Sequence, residues 1–304
     1  MALNFLEIMS SKKFDLKINS EILPFKKVIT VDSDKSLSIR SFLIGSISEG
    51  VSKINNILES QDVFSTINCL RKLGIKIQKK KSKNYYVFGK GLGSLIAKKN
   101  TVLDFGNSGT LTRLLIGIIS TTPGLELKIT GDHSLKKRSM KKIFNLMKKF
   151  GASFIPKNKF TLPIKISASN MPLGIDYLAG VSAQLKSAVI LAGLNSFGTT
   201  RVIENERSRD HTEKLLLQNS KSIQIESKKK KIINVFGKKS LKSINAQISG
   251  DPSSASFFSA LTLLKKDSSL IIKKVGLNPT RIGFYLLLKK HGAKIKFINI
   301  KKIN

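Results

Sequence analysis

Short segments of this chain recur about every 70 residues, and that periodicity constrains the fold more than any other feature. LGIKI at 73–77, FGASF at 150–154 and HGAKI at 291–295 each close an amphipathic stretch with glycine, then turn alternating or apolar. This is the pattern of a helix that ends on a left-handed glycine cap and feeds a strand. LQNSKSIQI at 217–225 supplies a fourth copy with Asn219 in the cap, since Asn tolerates that conformation best after Gly. The cap positions 74, 151, 219 and 292 lie 77, 68 and 73 residues apart.

A second series runs in phase. DKSLSIRSFLIGSISEG (34–50), GNSGTLTRLLIGIIS (106–120), SAQLKSAVILAGLNSFG (182–198) and GDPSSASFFSALTLL (250–264) open with small polar residues and become apolar. Each repeat thus holds one buried small-residue helix and one amphipathic helix, with strands between. Four helices that are apolar nearly all round imply a helical core with sheets outside it. The fold class is α/β, built from stacked units that share a core.

The polar helix starts allow two readings. In GNSGT, Asn107 or Ser108 can cap an orphaned backbone N–H. Alternatively, bare glycines let an anion approach the free N–H groups at the positive end of the helix. If the units pack about a pseudo-axis, the four starts converge on one electropositive cleft, and one set of residues serves both purposes. Basic residues lie beside these starts: Lys35 and Arg40, Arg113, Arg138 and Arg209. An arginine fork near a Ser- or Gly-rich start suits a carboxylate or phosphate.

Other features carry less chemistry. His133, His211 and His291 stand far apart with no ligand spacing, so no metal is expected; His211 is a candidate to line the Arg209 cluster. Cys69 reads as a small buried residue of an amphipathic helix, and its being the single cysteine fits a reducing compartment. GKGLG at 89–93 lacks the Lys-Ser/Thr of a phosphate loop and reads as a turn between strands. A length of 304 residues suggests two domains, and no apolar run is long enough for a membrane span. The start MALNFLEIMSSKKFD lacks a signal-peptide pattern, so a cytoplasmic location is expected. The net charge of +35 comes mostly from dispersed Lys, and KKKSK at 79–83 reads as a solvated turn or edge. With no Trp and four Tyr, stacking platforms for nucleic acid are scarce. A basic field also suits small anionic substrates.

Taken together, DKSLSIR, GNSGTLTRLL, GDHSLKKRSM, SAQLKSAVILAG, SRDHTEKLL, GDPSSASFF and GLNPTRIG resemble, in order and spacing, the bacterial 5-enolpyruvylshikimate-3-phosphate synthases. The likeness runs from about residue 20 to 295. The related UDP-N-acetylglucosamine enolpyruvyl transferases fit worse, on the SAQ and SRDHT segments and on Cys69. The resemblance implies an inside-out α/β barrel made of βαβαββ units. It implies a complete three-unit domain over 30–248, with 1–29 and 249–304 belonging to a second, partial domain. It also implies transfer of the enolpyruvyl group of phosphoenolpyruvate to the 5-hydroxyl of shikimate 3-phosphate, with release of phosphate.

Carried over by position, Lys35, Ser36, Arg40, Ser182, Ala183, Gln184, Ser208 and Arg209 would contact shikimate 3-phosphate. Lys35, Asn107, Gly109, Thr110, Arg138 and Gln184 would surround phosphoenolpyruvate, with Lys35 and Gln184 nearest the chemistry. Gly109 matches the glyphosate-sensitive form. The implied partners are the two small substrates, with no cofactor, no membrane and no specific nucleic acid; the whole enzyme would be a monomer. Two departures stand out. Ser139 replaces a proline, which would loosen the loop at Arg138. The family's acid/base carboxylates would lie beyond FINIKKIN, so the chain is expected to be incomplete at that end and inactive alone. Asp251 in GDPSSA is read as a helix cap. The alternative from another class is a noncatalytic anion- or nucleic-acid-binding remnant of the same fold.

Overall fold

The computed structural model describes residues 17, 21–218, 221–227 and 230–301. The strand β1 (Lys26–Thr30) comes first. The first unit then runs α1 (Lys35–Ile47), β2 (Glu49–Asn55), α2 (Gln61–Lys72), β3 (Lys76–Lys81) and β4 (Asn84–Lys90). The second holds β5 (Val102–Asp104), α3 (Gly109–Ser120), β6 (Glu126–Thr130), α4 (His133–Lys137), α5 (Lys141–Lys149), β7 (Ser153–Ile155) and β8 (Ile164–Ser167). The third holds β9 (Asp176–Ala179), α6 (Ala183–Leu194), β10 (Thr199–Glu204), α7 (His211–Leu217), β11 (Ile223–Ser227) and β12 (Lys231–Phe236). After these come β13 (Asn245–Gln247), α8 (Pro252–Leu264), β14 (Ser269–Lys273) and α9 (Gly283–Lys290).

Three four-stranded sheets share one plan. β5 runs parallel to β6, and β8 and β7 follow antiparallel; β9, β10, β12 and β11 repeat this. In the first unit the opening parallel strand is β13, which pairs Asn245 with Lys53 although nearly 200 positions separate them. β1 in turn runs parallel to β14, pairing Lys26 with Ser269. Strands such as β6 alternate exposed and buried residues, as expected of sheets with one face on a core.

That core is helical. Every residue from Ser38 to Ile47 of α1 is buried, as is every residue from Leu185 to Leu194 of α6. α3 packs on α6 so closely that a Cβ at Gly117 would stand 2.5 Å from the Ala188 carbonyl oxygen, so this crossing needs glycine. Helices lie inside and sheets outside, an inside-out α/β arrangement. The four helices of the second series start alike: Asp34, Ser108, Ser182 and Asp251 each accept a hydrogen bond from a backbone N–H of the first turn.

The repeat was only partly realised. Gly74, Gly151 and Gly292 take positive φ, at 82°, 91° and 91°, as cap glycines should. Asn219 lies outside the described residues. β3, β7 and β11 form at LGIKI, FGASF and LQNSKSIQI, but residues 293–301 form no strand, contrary to the pattern of HGAKI. A strand needs a hydrogen-bonding neighbour, and none runs beside 293–301 among the described residues. α8 is also not buried like its three counterparts: Phe257 is 78% and Leu264 85% exposed. It packs on β14 and on Tyr285, whose hydroxyl donates to the Pro252 carbonyl at 2.6 Å.

Candidate functional site

Arg40 is a buried cation on α1. The apolar surroundings of α1 leave it 3% exposed. Its Nε donates to Thr212 Oγ1 (2.9 Å), Nη2 to Ser187 Oγ (3.2 Å) and Nη1 to the Ser36 carbonyl (3.1 Å). These acceptors are all neutral. Burial pushes its pKa down to about 10, Asp34 and Glu213 pull it back, and Arg209 and Arg281 depress it again. It therefore remains charged at neutral pH, inside the protein and held by uncharged oxygens. Such a group is stabilised by an anion.

Around Arg40 lies a cavity of about 560 Å³. α1 lends it Ser36 and Arg40, and the start of α6 lends Ser182, Ala183 and Gln184. The turn after β10 lends Ser208 and Arg209. Ser182 also caps α6 through the Leu185 N–H at 3.4 Å, so the same residue starts the helix and faces the cavity. Burial and then the neighbouring Arg281 push the Arg209 guanidinium below its ordinary pKa.

The start of α3 adjoins this cavity through Gln184. Gln184 Oε1 accepts from Arg113 Nη1 at 2.9 Å, and its Nε2 donates to Thr110 Oγ1 at 3.0 Å. Arg138 Nη2 donates to Asn107 Oδ1 at 2.6 Å. Arg138 is held locally, because its N–H reaches the Leu135 carbonyl (3.1 Å) while Met140 N–H reaches that of Phe160 (2.7 Å). The loop is therefore pinned on both sides of Ser139. A Cβ on Gly109 would stand 3.0 Å from Arg113 Nη1 and 3.2 Å from Arg138 Nη1. Two guanidinium groups thus close over a bare helix start that Ser108 already caps, so capping by Ser108 leaves room for the arrangement that an anion would need.

Not every expected residue joins in. Lys35 pairs with Asp62 at 2.9 Å, with its side chain 46% exposed, and it does not line the cavity. His211 is buried and is not among the residues that line the cavity, and its Nδ1 has no hydrogen-bond partner. Burial pushes its pKa down to about 4, with Asp34 and Asp210 opposing and Arg40 and Arg281 assisting. Asp251 caps α8 through the Ser253 N–H (2.9 Å). Cys69 is 1% exposed, and burial pushes its thiol up to about 12, which removes it as a nucleophile at neutral pH.

Sequence reasoning did not single out Arg207, Pro279 and Thr280, which also line the cavity, or Arg281. Arg281 divides its fork between two helix caps, Nη1 on Asp34 Oδ2 and Nη2 on Asp251 Oδ1, both at 2.6 Å. The only signal was its place in GLNPTRIG, 247 positions from Asp34. Among the described residues, no cluster of His, Cys, Asp and Glu is placed to hold a metal, and no helix is long and apolar enough to cross a membrane.

Comparison with known proteins settles the kinship. The family model of EPSP synthase (3-phosphoshikimate 1-carboxyvinyltransferase) matches residues 20–303. The chain belongs to the EPSP synthase family. A 3-phosphoshikimate 1-carboxyvinyltransferase of Petrotoga mobilis is 41% identical over 290 residues, covering 93% of this chain and 66% of that protein. One of Zymomonas mobilis is 38% identical over 282 residues, covering 92% of this chain and 62% of that protein. The EPSP synthase of Acinetobacter baumannii superposes with a TM-score of 0.79 at 36% identity, covering 89% of this chain and 60% of that one. This chain therefore spans somewhat less than two thirds of the length of these EPSP synthases.

Proposed function

We propose that this chain supplies the shikimate 3-phosphate site, and part of the phosphoenolpyruvate site, of an enzyme that transfers the enolpyruvyl group to the 5-hydroxyl with release of phosphate. The observation that carries the reading is Arg40, a buried cation held only by neutral oxygens at the edge of a cavity that also receives Arg209 and the start of α6. Ser36, Arg40, Ser182, Ala183, Gln184, Ser208 and Arg209 take shikimate 3-phosphate. Asn107, Gly109, Thr110 and Arg138 take phosphoenolpyruvate, with Gln184 between the two. Lys35 joins them by leaving Asp62, an ion pair exposed enough to break readily.

Both substrates are polyanions. Preformed helix starts and guanidinium groups favour them and the charge that develops in the transition state. Among the described residues that line the cavity, none carries a carboxylate, so this wall binds and orients while proton transfer needs other groups. The exchanged strands β1 and β13 support dividing the protein into a three-unit domain over 30–248 and a second domain formed by 1–29 with 249–304. On the same reading the protein works in the cytosol, and the whole enzyme is a monomer.

Calorimetric titration tests the proposal. Shikimate 3-phosphate is expected to bind and shikimate without its phosphate to bind at least tenfold more weakly, since charge-assisted bonds to the phosphate supply about 1.5–3 kcal/mol each. Equal affinity for the two would overturn the site assignment. Phosphate release on adding phosphoenolpyruvate reads the reaction itself. None is expected from this chain alone, and turnover would mean that proton-transfer groups reach the cavity from elsewhere.

A further inference from the structure

A neutral cluster of four charged residues lies behind the anion cavity. Lys186 of α6 is fully buried and pairs with Glu204 Oε1 at 2.7 Å and Glu213 Oε1 at 2.6 Å. Lys231 of β12 reaches Glu204 Oε2 at 2.8 Å and Glu213 Oε1 at 3.5 Å. Burial raises the Glu204 carboxyl, but the bonds from Lys186 and Lys231 outweigh it and keep the group ionised. Taking such charges out of water is unfavourable, and well-packed apolar residues often hold a core as well or better. Stability alone is therefore a poor account of the cluster.

One contact links it to the cavity. Glu204 ends β10, and its Oε1 accepts both donors of Ser208, the hydroxyl at 2.9 Å and the N–H at 3.3 Å. Ser208 is on the cavity wall beside Arg209. We propose that Glu204, fixed by Lys186 and Lys231, is a positioning residue that presents the Ser208 hydroxyl to a phosphate group in the cavity. Oε1 keeps Lys186 and the Ser208 N–H when the hydroxyl proton swings to a ligand oxygen. The retained N–H bond thus holds the turn, and the Ser208 side chain rotates to carry its oxygen off Oε1, because two oxygens with no proton between them repel. The proposal rests on the function proposed above for the identity of the ligand, but not for its phosphate.

A double-mutant cycle on the full chain tests it, read by calorimetry with shikimate 3-phosphate and, separately, inorganic phosphate. Glu204→Gln is expected to weaken binding about tenfold, the scale of one hydrogen bond to a charged group. In the Ser208→Ala background the same change is expected to shift affinity by less than about twofold, because the effect travels through Ser208. Removing a buried negative charge from beside the cavity can only favour an anion, so a loss of affinity cannot come from the field. If Glu204→Gln does not fold, Glu204→Gln with Lys231→Gln keeps the cluster neutral and enters the same cycle. An equal loss in both backgrounds would overturn the proposal in favour of a purely structural role. Binding of phosphate but not of shikimate 3-phosphate would remove the substrate reading and leave the cycle to be judged on phosphate. Binding of neither would remove both.

Discussion

Gly109 opens α3 with φ outside the left-handed region, so its missing Cβ provides space rather than backbone freedom. A methyl there would meet the ends of Arg113 and Arg138, which are flexible enough to give way. Gly109→Ala is expected to raise stability by about 0.4–1 kcal/mol through the unfolded chain. It should also lower affinity for phosphoenolpyruvate by about tenfold, because the two forks move off the helix start. Scanning calorimetry and titration of one variant read both effects; unchanged affinity would place the ligand elsewhere. His211 makes a separate prediction. Its pKa is pushed from 6.5 to about 4 by burial, so between these values the unfolded chain binds the extra proton. The stabilisation is complete above pH 6.5 and is lost as pH falls toward 4, by roughly 3 kcal/mol at one pKa unit per 1.36 kcal/mol. His211→Asn should flatten the melting temperature across that window, and an unchanged slope would show that other groups set it. Arg40, Arg113, Arg138 and Arg209 could be singled out in the sequence because each sits close to a polar helix start, whereas Arg207 and Arg281 could not. Glu204 was not legible, since a glutamate ending a strand looks solvated until Lys186 and Lys231 are seen to fold onto it.

Between elements, Arg281 has the largest reach. It joins the caps of α1 and α8 while Asn278 and Thr280 bond Asp210, the residue that opens α7, at 2.7 and 3.2 Å. The segment 278–281 thus ties three helix starts together. Arg281→Met leaves Asp34, 3% exposed, without its cation. The expected loss is about 3–5 kcal/mol, the usual result of breaking one side of a buried pair. Amide exchange should quicken first in the opening turns of α1 and α8; uniform acceleration would mean that the fork serves the core as a whole. The helices, their caps and the strands after Gly74 and Gly151 could be read from periodicity because their bonds are local. The strand expected after Gly292 was misread for the converse reason: a helix satisfies its own backbone, whereas a strand depends on a neighbour that its own residues do not specify.

On the scale of the whole molecule, two surface properties oppose each other. α8 exposes Phe257, Phe258 and Leu264, and α9 exposes Leu287, whereas α1, α3 and α6, the counterparts of α8, bury their apolar residues. An apolar face of this kind favours association. The net charge of +35 opposes it, because like-charged copies repel. Salt decides between them. At about 0.01 M ionic strength the screening length is about 30 Å and repulsion reaches across a contact; at 1 M it is about 3 Å and only the apolar term remains. Sedimentation velocity is therefore expected to show single chains at low salt and larger species as salt rises. Phe257→Ser with Leu264→Ser should suppress the larger species at every salt concentration. Larger species that dissolve as salt is added would reverse the argument: the contacts would then be electrostatic, made by the basic surface to acidic groups, and the apolar face of α8 would have no part in them. On the function proposed above, the cavity at Arg40 should respond to salt with the opposite sign, because screening weakens the attraction of Arg40, Arg207 and Arg209 for a dianion. Affinity and association measured over one salt series thus separate the cavity from the exposed helical face, one falling while the other grows.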